Sequence, residues 1–403
     1  MVLSALGRRW WPAGEEQQAG SVDISSKTQD LLATACRTWS AALGQQQESN
    51  GGFRGMPYGW HGAGAYDTGQ ALSGLLPSAQ TGYGMFDEER QRRAIRALQQ
   101  YTLHWKRDVV LAESYQEAEE AFFIEGKGEE PALTIGVAWA TIAFSRYWTW
   151  TKDIESRDHA RRLQNIILGA QLDDGSFQFA ADPDNTNQPS AYATTLALWA
   201  LVESDRLLLD PSERQDLSAA RRRSANWIRQ SLADELPYSE HTTSRTVAGL
   251  AEQATWVLCR ARAIGDDSEV SQQEQHLLGM IADDIIQRCS MQDLSTHVCV
   301  TGADLNGVIP KGRGARGHVF VMFWRPWAML ASYRLMKDRR APLDGRVRLS
   351  LKWAIESLVQ QMCGDNGLVI AAQARTSRFE VAEHLFAVSE ILGTLIGGPK
   401  DPR

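Results

Sequence analysis

Long apolar runs are missing from this chain of 403 residues. The opening stretch, MVLSALGRRWW, has a short apolar segment before paired arginines, too little for the core of a secretory leader. Nothing approaches the roughly 20 apolar residues that cross a bilayer, so no membrane span and a cytoplasmic location are expected. Basic charge is not in excess either. Lys and Arg number 42 against 49 Asp and Glu, interspersed to a net −7, which is no footprint for nucleic acid. Cysteine is sparse: Cys36, Cys259, Cys289, Cys299 and Cys363 lie far apart, odd in number and without CxxC spacing. Reduced thiols are expected, with no disulfide framework. No P-loop spacing is present, and no cofactor is expected.

Apolar residues make up 43% of the chain, enough for a sizeable core, and tryptophan is abundant at fourteen. So many large aromatics line either a deep core or an aromatic pocket. A worn internal repeat organises them. QESNGGF from Gln47 and QLDDGSF from Gln171 share a glutamine, an Asp or Asn before glycine, and a phenylalanine; QMCGDNGL from Gln361 is a third, longer copy. The spacings fit a unit of about 62 residues, six times over. Each turn follows a charged amphipathic segment such as ERQRRAIRALQQYTLHW from Glu89. Each leads into a run rich in small and apolar residues, such as YDTGQALSGLL from Tyr66, LTIGVAWATIAF from Leu133 or YATTLALWALV from Tyr192. A helix apolar on all sides is buried on all sides, so these runs form an inner ring and the charged segments an outer one. The expected fold is all-α: six helical hairpins in two concentric rings, an (α/α)6 toroid over residues 26–403, with residues 1–25 a polar arm. An open α-solenoid is the alternative.

In a toroid the outer-to-inner turns gather at one mouth, where the N-termini of the inner helices favour an anionic ligand group. Candidate residues crowd these turns. GWHGAGAYDTGQ brings Trp60, His61, Tyr66 and Asp67 to one helix start, Asp67 serving either chemistry or helix capping. FAADPDNTNQPSAY carries Asp182 and Asp184 with Tyr192; paired carboxylates can keep one another protonated as a general acid, although a solvated turn has the same composition. YSEHTTSR sets His241 and Arg245 four apart, suited to anion binding or proton transfer. KGRGARGHVFVMFWRPW sets Lys311, Arg313, Arg316 and His318 in a glycine-rich loop before Trp324 and Trp327, suited to gripping a phosphate or simply solvated, and the last inner helix brings Arg378, Glu380, Glu383 and His384, where a buried charge needs a partner.

The repeat phrase and the inner-helix starts resemble the superfamily of squalene and terpene cyclases and protein prenyltransferase β-subunits. The resemblance implies the toroid, while the family's chemical motifs are altered. Where its cyclases place the acids that open an inner helix, SAYATT has Ala191 and Ala193, so Asp67, Asp182 or Asp184 would have to supply a proton. His384 stands where prenyltransferases place a zinc-binding histidine, but His318 and Val319 or Phe320 replace the aspartate and cysteine, so no metal is expected. DTGQALSGLL and HTTSRTVAGL are also similar to phrases in bacterial polysaccharide-associated toroid proteins.

An enzyme acting on a small molecule is therefore expected, in the first instance a terpene cyclase-like protein processing an isoprenoid. Asp67, Asp182, Asp184 or His241 would move the proton. Trp60, His61, Tyr66, Tyr192, Trp199, Arg245, Trp324, Trp327, Glu380 and His384 would line the substrate, with Trp139 among the rings that hold a cation. The alternatives are a carbohydrate-active lyase, epimerase or hydrolase, and a non-catalytic binding module. An aromatic-lined cavity favours the isoprenoid, and a polar cleft the sugar.

Overall fold

The computed structural model describes residues 22, 24–53, 64–103, 134–178, 189–207, 211–235, 254–262, 279, 282, 324–338, 345–362 and 378–396. Among them there is no strand. The outer helices are α1 (Ser26–Gln45), α3 (Glu88–Thr102), α5 (Ile154–Gly169), α7 (Pro211–Glu235) and α10 (Gly345–Met362). The inner helices are α2 (Ala65–Gln80), α4 (Thr134–Thr151), α6 (Ala191–Glu203), α8 (254–262), α9 (Trp324–Asp338) and α11 (Arg378–Ile391), which ends in a π-helical turn, Leu392–Ile396. Side chains satisfy the first free N–H groups: Ser25 caps α1, Asp87 caps α3 and Asp153 caps α5, each accepting from the backbone three residues on. The outer helix α3 buries Ala94, Ile95 and Leu98 and turns Arg92, Glu88 and Glu89 to solvent, while α4 is buried without a break from Thr134 to Tyr147. No described helix is long and apolar enough to cross a membrane.

Closure decides between toroid and solenoid. Helix α11 packs on both α1 and α2, and α10 packs on α1, so the last repeat meets the first in both rings. First and last repeats of an open solenoid do not touch. Glycines let α2 approach its neighbours closely: at the seam a Cβ on Gly74 would strike the Ala382 carbonyl of α11, and against α4 one on Gly69 would lie 2.9 Å from the Trp139 backbone carbon.

The repeated phrase is a clamp between neighbouring outer helices. Gln47 Nε2 donates to the carbonyls of Gly51 and Arg90, both at 2.9 Å, tying the turn to α3. Gln171 repeats the contact on α7, donating to Gly175, Ala220 and Ser224. Asn50 and Asp174 each accept from the backbone N–H two residues on, at 2.9 Å. Gly51 and Gly175 take φ of 96° and 91°, a left-handed turn against the backbone of Arg93 and Arg223 that leaves no room for a Cβ. The phenylalanine closes the device: Phe53 N donates to Thr68 Oγ1 at 3.1 Å and Phe177 N to Thr194 Oγ1 at 2.9 Å, fixing each turn to the helix it feeds.

Where the inner helices meet, aromatic rings fill the bore. Trp199 of α6 lies 5.2 Å from Trp139 (α4), 4.7 Å from Trp256 (α8), 5.5 Å from Trp327 (α9) and 5.2 Å from Phe386 (α11), centroid to centroid. Most of these pairs are T-shaped, each adding about 0.5–1.5 kcal/mol beyond the area buried. Beyond this hub, towards the C-terminal ends of α4 and α6, Arg146 donates to Glu203 at 2.7 Å and to the Ser73 carbonyl at 3.0 Å, its guanidinium 4.3 Å from the Phe386 centroid. Trp199 Nε1 donates to the same Glu203 oxygen at 3.1 Å. Burial pushes the Glu203 carboxyl up, but Arg146 and Arg260, with the hydrogen bonds from Arg146 and Trp199, outweigh it and hold the group at about 2.

Candidate functional site

The first turns of α2 and α6 carry the same arrangement. Both helices begin with alanine, tyrosine and a third residue before the threonine that anchors the incoming turn, Asp67 in α2 and Ala193 in α6. This register brings the Tyr66 and Tyr192 hydroxyls together as neighbours at the mouth end of the inner ring. Tyr192 also neighbours the indole N–H of Trp139, so the pair rests directly on the aromatic hub.

A carboxylate from the far end of the sequence faces these phenols. Glu383 on α11 accepts a 2.8 Å hydrogen bond from Gln70 Nε2, one turn into α2, and both side chains are buried. Burial raises the Tyr66 phenol well above its ordinary value, and Tyr192, Glu383 and Asp67 raise it further. For Tyr192, burial and Glu383 push the value up to about 12, with the Tyr66 hydroxyl and the Trp139 indole offsetting only part. Both phenols therefore stay protonated at neutral pH and can donate, while the carboxylates accept. Tyr66, Tyr192 and Asp67 keep partial exposure where Gln70 and Glu383 do not.

Asp67 does not cap α2. Gly64 holds the cap position without a side-chain bond, and Asp67 sits in the first turn, where its charge reaches Tyr66. The corresponding α6 cap is Ser190, which accepts from Ala193 N at 3.2 Å. Trp139, Trp199 and Trp327 are fully enclosed in the hub, packed edge to face on one another or on Phe386. His384 turns away from the mouth: its ring meets Trp39 of the outer helix α1 edge to face at 5.0 Å and is 1% exposed. Trp324 opens α9 and Glu380 lies in the first turn of α11. Trp60, His61, Asp182, Asp184, His241 and Arg245 lie outside the described residues. Among the described residues no three His, Cys, Asp or Glu side chains are grouped to hold a metal ion.

Gln70 and Glu383 complete the cluster although the sequence does not single them out as substrate-contacting. The available signal was polarity out of place: a glutamine and a glutamate on helices otherwise buried along their length.

No family model matches the chain, and no curated protein matches it. Solved structures do. The chain superposes on the cellobiose 2-epimerase of Spirochaeta thermophila DSM 6192 with a TM-score of 0.58 at 14% identity, covering 92% of this chain and 98% of that one. For the cellobiose 2-epimerase of Bacillus thermoamylovorans B4167 the TM-score is 0.53 at 13% identity, over 90% and 98%. A sugar epimerase from a ruminal bacterium gives 0.51 at 13%, over 91% and 98%. The expectation of a terpene cyclase-like isoprenoid enzyme is corrected on this finding, since the toroids that match along nearly their whole length are sugar enzymes. The packing agrees: the rings meant to line a cation cavity, Trp139, Trp199 and Trp327, are buried against one another and against Phe386. The chain is an (α/α)6 toroid, similar in fold to these sugar epimerases.

Proposed function

We propose that the chain is a carbohydrate-active enzyme whose site is the cluster of Tyr66, Asp67, Gln70, Tyr192 and Glu383 at the mouth of the toroid. The observation that carries the reading is the placement of two phenols, raised above their ordinary value, beside a buried carboxylate, Glu383, held by Gln70. A sugar presents hydroxyls that both donate and accept, which this set of donors and acceptors matches, and the hub beneath supplies a rigid floor. Likeness of fold to sugar epimerases supports the same class.

Of the reactions open to such a site, proton removal beside a carbonyl suits it best. Glu383 takes the proton from carbon and the electron pair moves onto the carbonyl oxygen. Tyr66 or Tyr192 stabilises that oxygen by donating a hydrogen bond. Return of a proton to the other face gives an epimer, and loss of a neighbouring substituent gives an eliminated product.

Incubation with cellobiose and related reducing disaccharides in deuterated water tests this. The expected result is deuterium on the carbon next to the carbonyl, with a rate reduced on the order of 10²–10⁴-fold in Glu383→Gln, the usual contribution of a general base. Absence of deuterium and of any product, across a panel of neutral and acidic sugars, would sink the proposal.

A further inference from the structure

The polar groups at the mouth are unevenly divided, and the division selects among sugars. Asp67 and Glu383 both bring carboxylates to the phenol pair, and both act electrostatically on Tyr66. Asp67 stands in the first turn of α2, so the positive end of that helix already faces a carboxylate of the protein's own. A second, independent feature is Gln70. Its amide nitrogen is committed to Glu383, which fixes the orientation of the amide, and the remaining oxygen, Oε1, is buried without a hydrogen-bond partner. The side chain is 1% exposed. A buried acceptor of this kind calls for a donor.

Resting on the carbohydrate reading, we infer that this mouth takes a neutral, hydroxyl-bearing sugar and discriminates against uronic acids and sugar phosphates. A hydroxyl donates to carboxylate or amide oxygen and accepts from the Tyr66 or Tyr192 phenol. A ligand carboxylate offers no donor at neutral pH and adds a like charge beside Asp67 and Glu383, in a setting where burial strengthens the repulsion. This runs against the expectation, drawn from the helix ends and from His241 and Arg245, that the mouth favours an anionic group. The inner-helix dipole of α2 is real, but the chain answers it with Asp67.

The test is calorimetric titration of the full-length protein with cellobiose and with cellobiouronic acid, which differ by one carboxylate in place of a hydroxymethyl group. Cellobiose is expected to bind at least tenfold more tightly at low ionic strength. Raising the salt should narrow the difference by improving uronate binding alone, because the repulsion from the partly exposed Asp67 is screened. Asp67→Asn and Glu383→Gln should each narrow it as well. The salt series on the unaltered protein decides the matter even if a variant fails to fold. Uronate binding as tight as cellobiose or tighter, or a difference that neither salt nor either variant changes, would overturn the inference while leaving the carbohydrate reading in place. Failure of every neutral and acidic sugar to bind would overturn both.

Discussion

Tyr66 and Tyr192 occupy the same position, the second residue, of inner helices α2 and α6, and their phenols are neighbours that act on one another. The pair is built by the repeat itself. Thr68 and Thr194, two residues on, anchor equivalent turns through Phe53 and Phe177, so the two phenols are held at matching heights by matching scaffolds.

Both phenols are raised above their ordinary value, so the folded protein keeps their protons where the unfolded chain has lost them. The stability this contributes is whole below pH 10, the ordinary value, and is lost as pH climbs through about 12 for Tyr192. Denaturation followed between pH 9 and 12 should show falling stability, and Tyr192→Phe should flatten that slope. A slope unchanged by the substitution contradicts the placement of Tyr192 beside Glu383. At neutral pH Tyr66→Phe and Tyr192→Phe should fold normally and lose turnover on the order of tenfold or more.

Glu203 behaves in the opposite sense. Its folded value is held at about 2 against an ordinary 4.5, so its contribution is present above pH 4.5 and disappears as pH falls towards 2. Removing one partner of the buried pair, by Glu203→Gln or Arg146→Met, should cost about 2–4 kcal/mol at pH 7. Chemical denaturation at pH 7 and at pH 2.5 measures both. The penalty of Glu203→Gln should shrink at the lower pH.

Gly51→Ala and Gly175→Ala should each destabilise by roughly 1–3 kcal/mol, the cost of a left-handed position plus a backbone collision. Gly169→Ala is the control, since a Cβ there meets nothing within 4 Å, and it should be neutral or slightly stabilising. Thermal melts of the three variants separate the clamp from a general intolerance of alanine.

Trp199→Ala should lower stability by about 3–5 kcal/mol, because four rings and the Glu203 carboxylate pack on this side chain. Trp199→Phe should recover much of it. If the hub were instead a ligand pocket, Trp199→Ala would change sugar binding with little change in the melting curve.

Much of the architecture was legible from residue patterns. A turn that needs a left-handed glycine and a glutamine to bridge two helices leaves a phrase that recurs, and QESNGGF and QLDDGSF are that phrase. Helices buried all round read as apolar all round, which separates α4 and α6 from α3. These are local requirements, each met by residues near one another along the chain. Ring closure, the filling of the bore and the make-up of the site are not local. Tryptophan content is the same whether rings face a cavity or each other, and only the meeting of α4, α6, α8, α9 and α11 turned Trp199 into the centre of a plug. His384 and Glu383 are neighbours on α11, yet one turn angle sends the histidine to Trp39 and the glutamate to Gln70. The sequence by itself determined a six-fold helical repeat with a tyrosine at two inner-helix starts. The tertiary structure decided that Gln70 and Glu383, 313 positions apart, share a hydrogen bond beneath those tyrosines, because closure of the ring sets the last inner helix against the first.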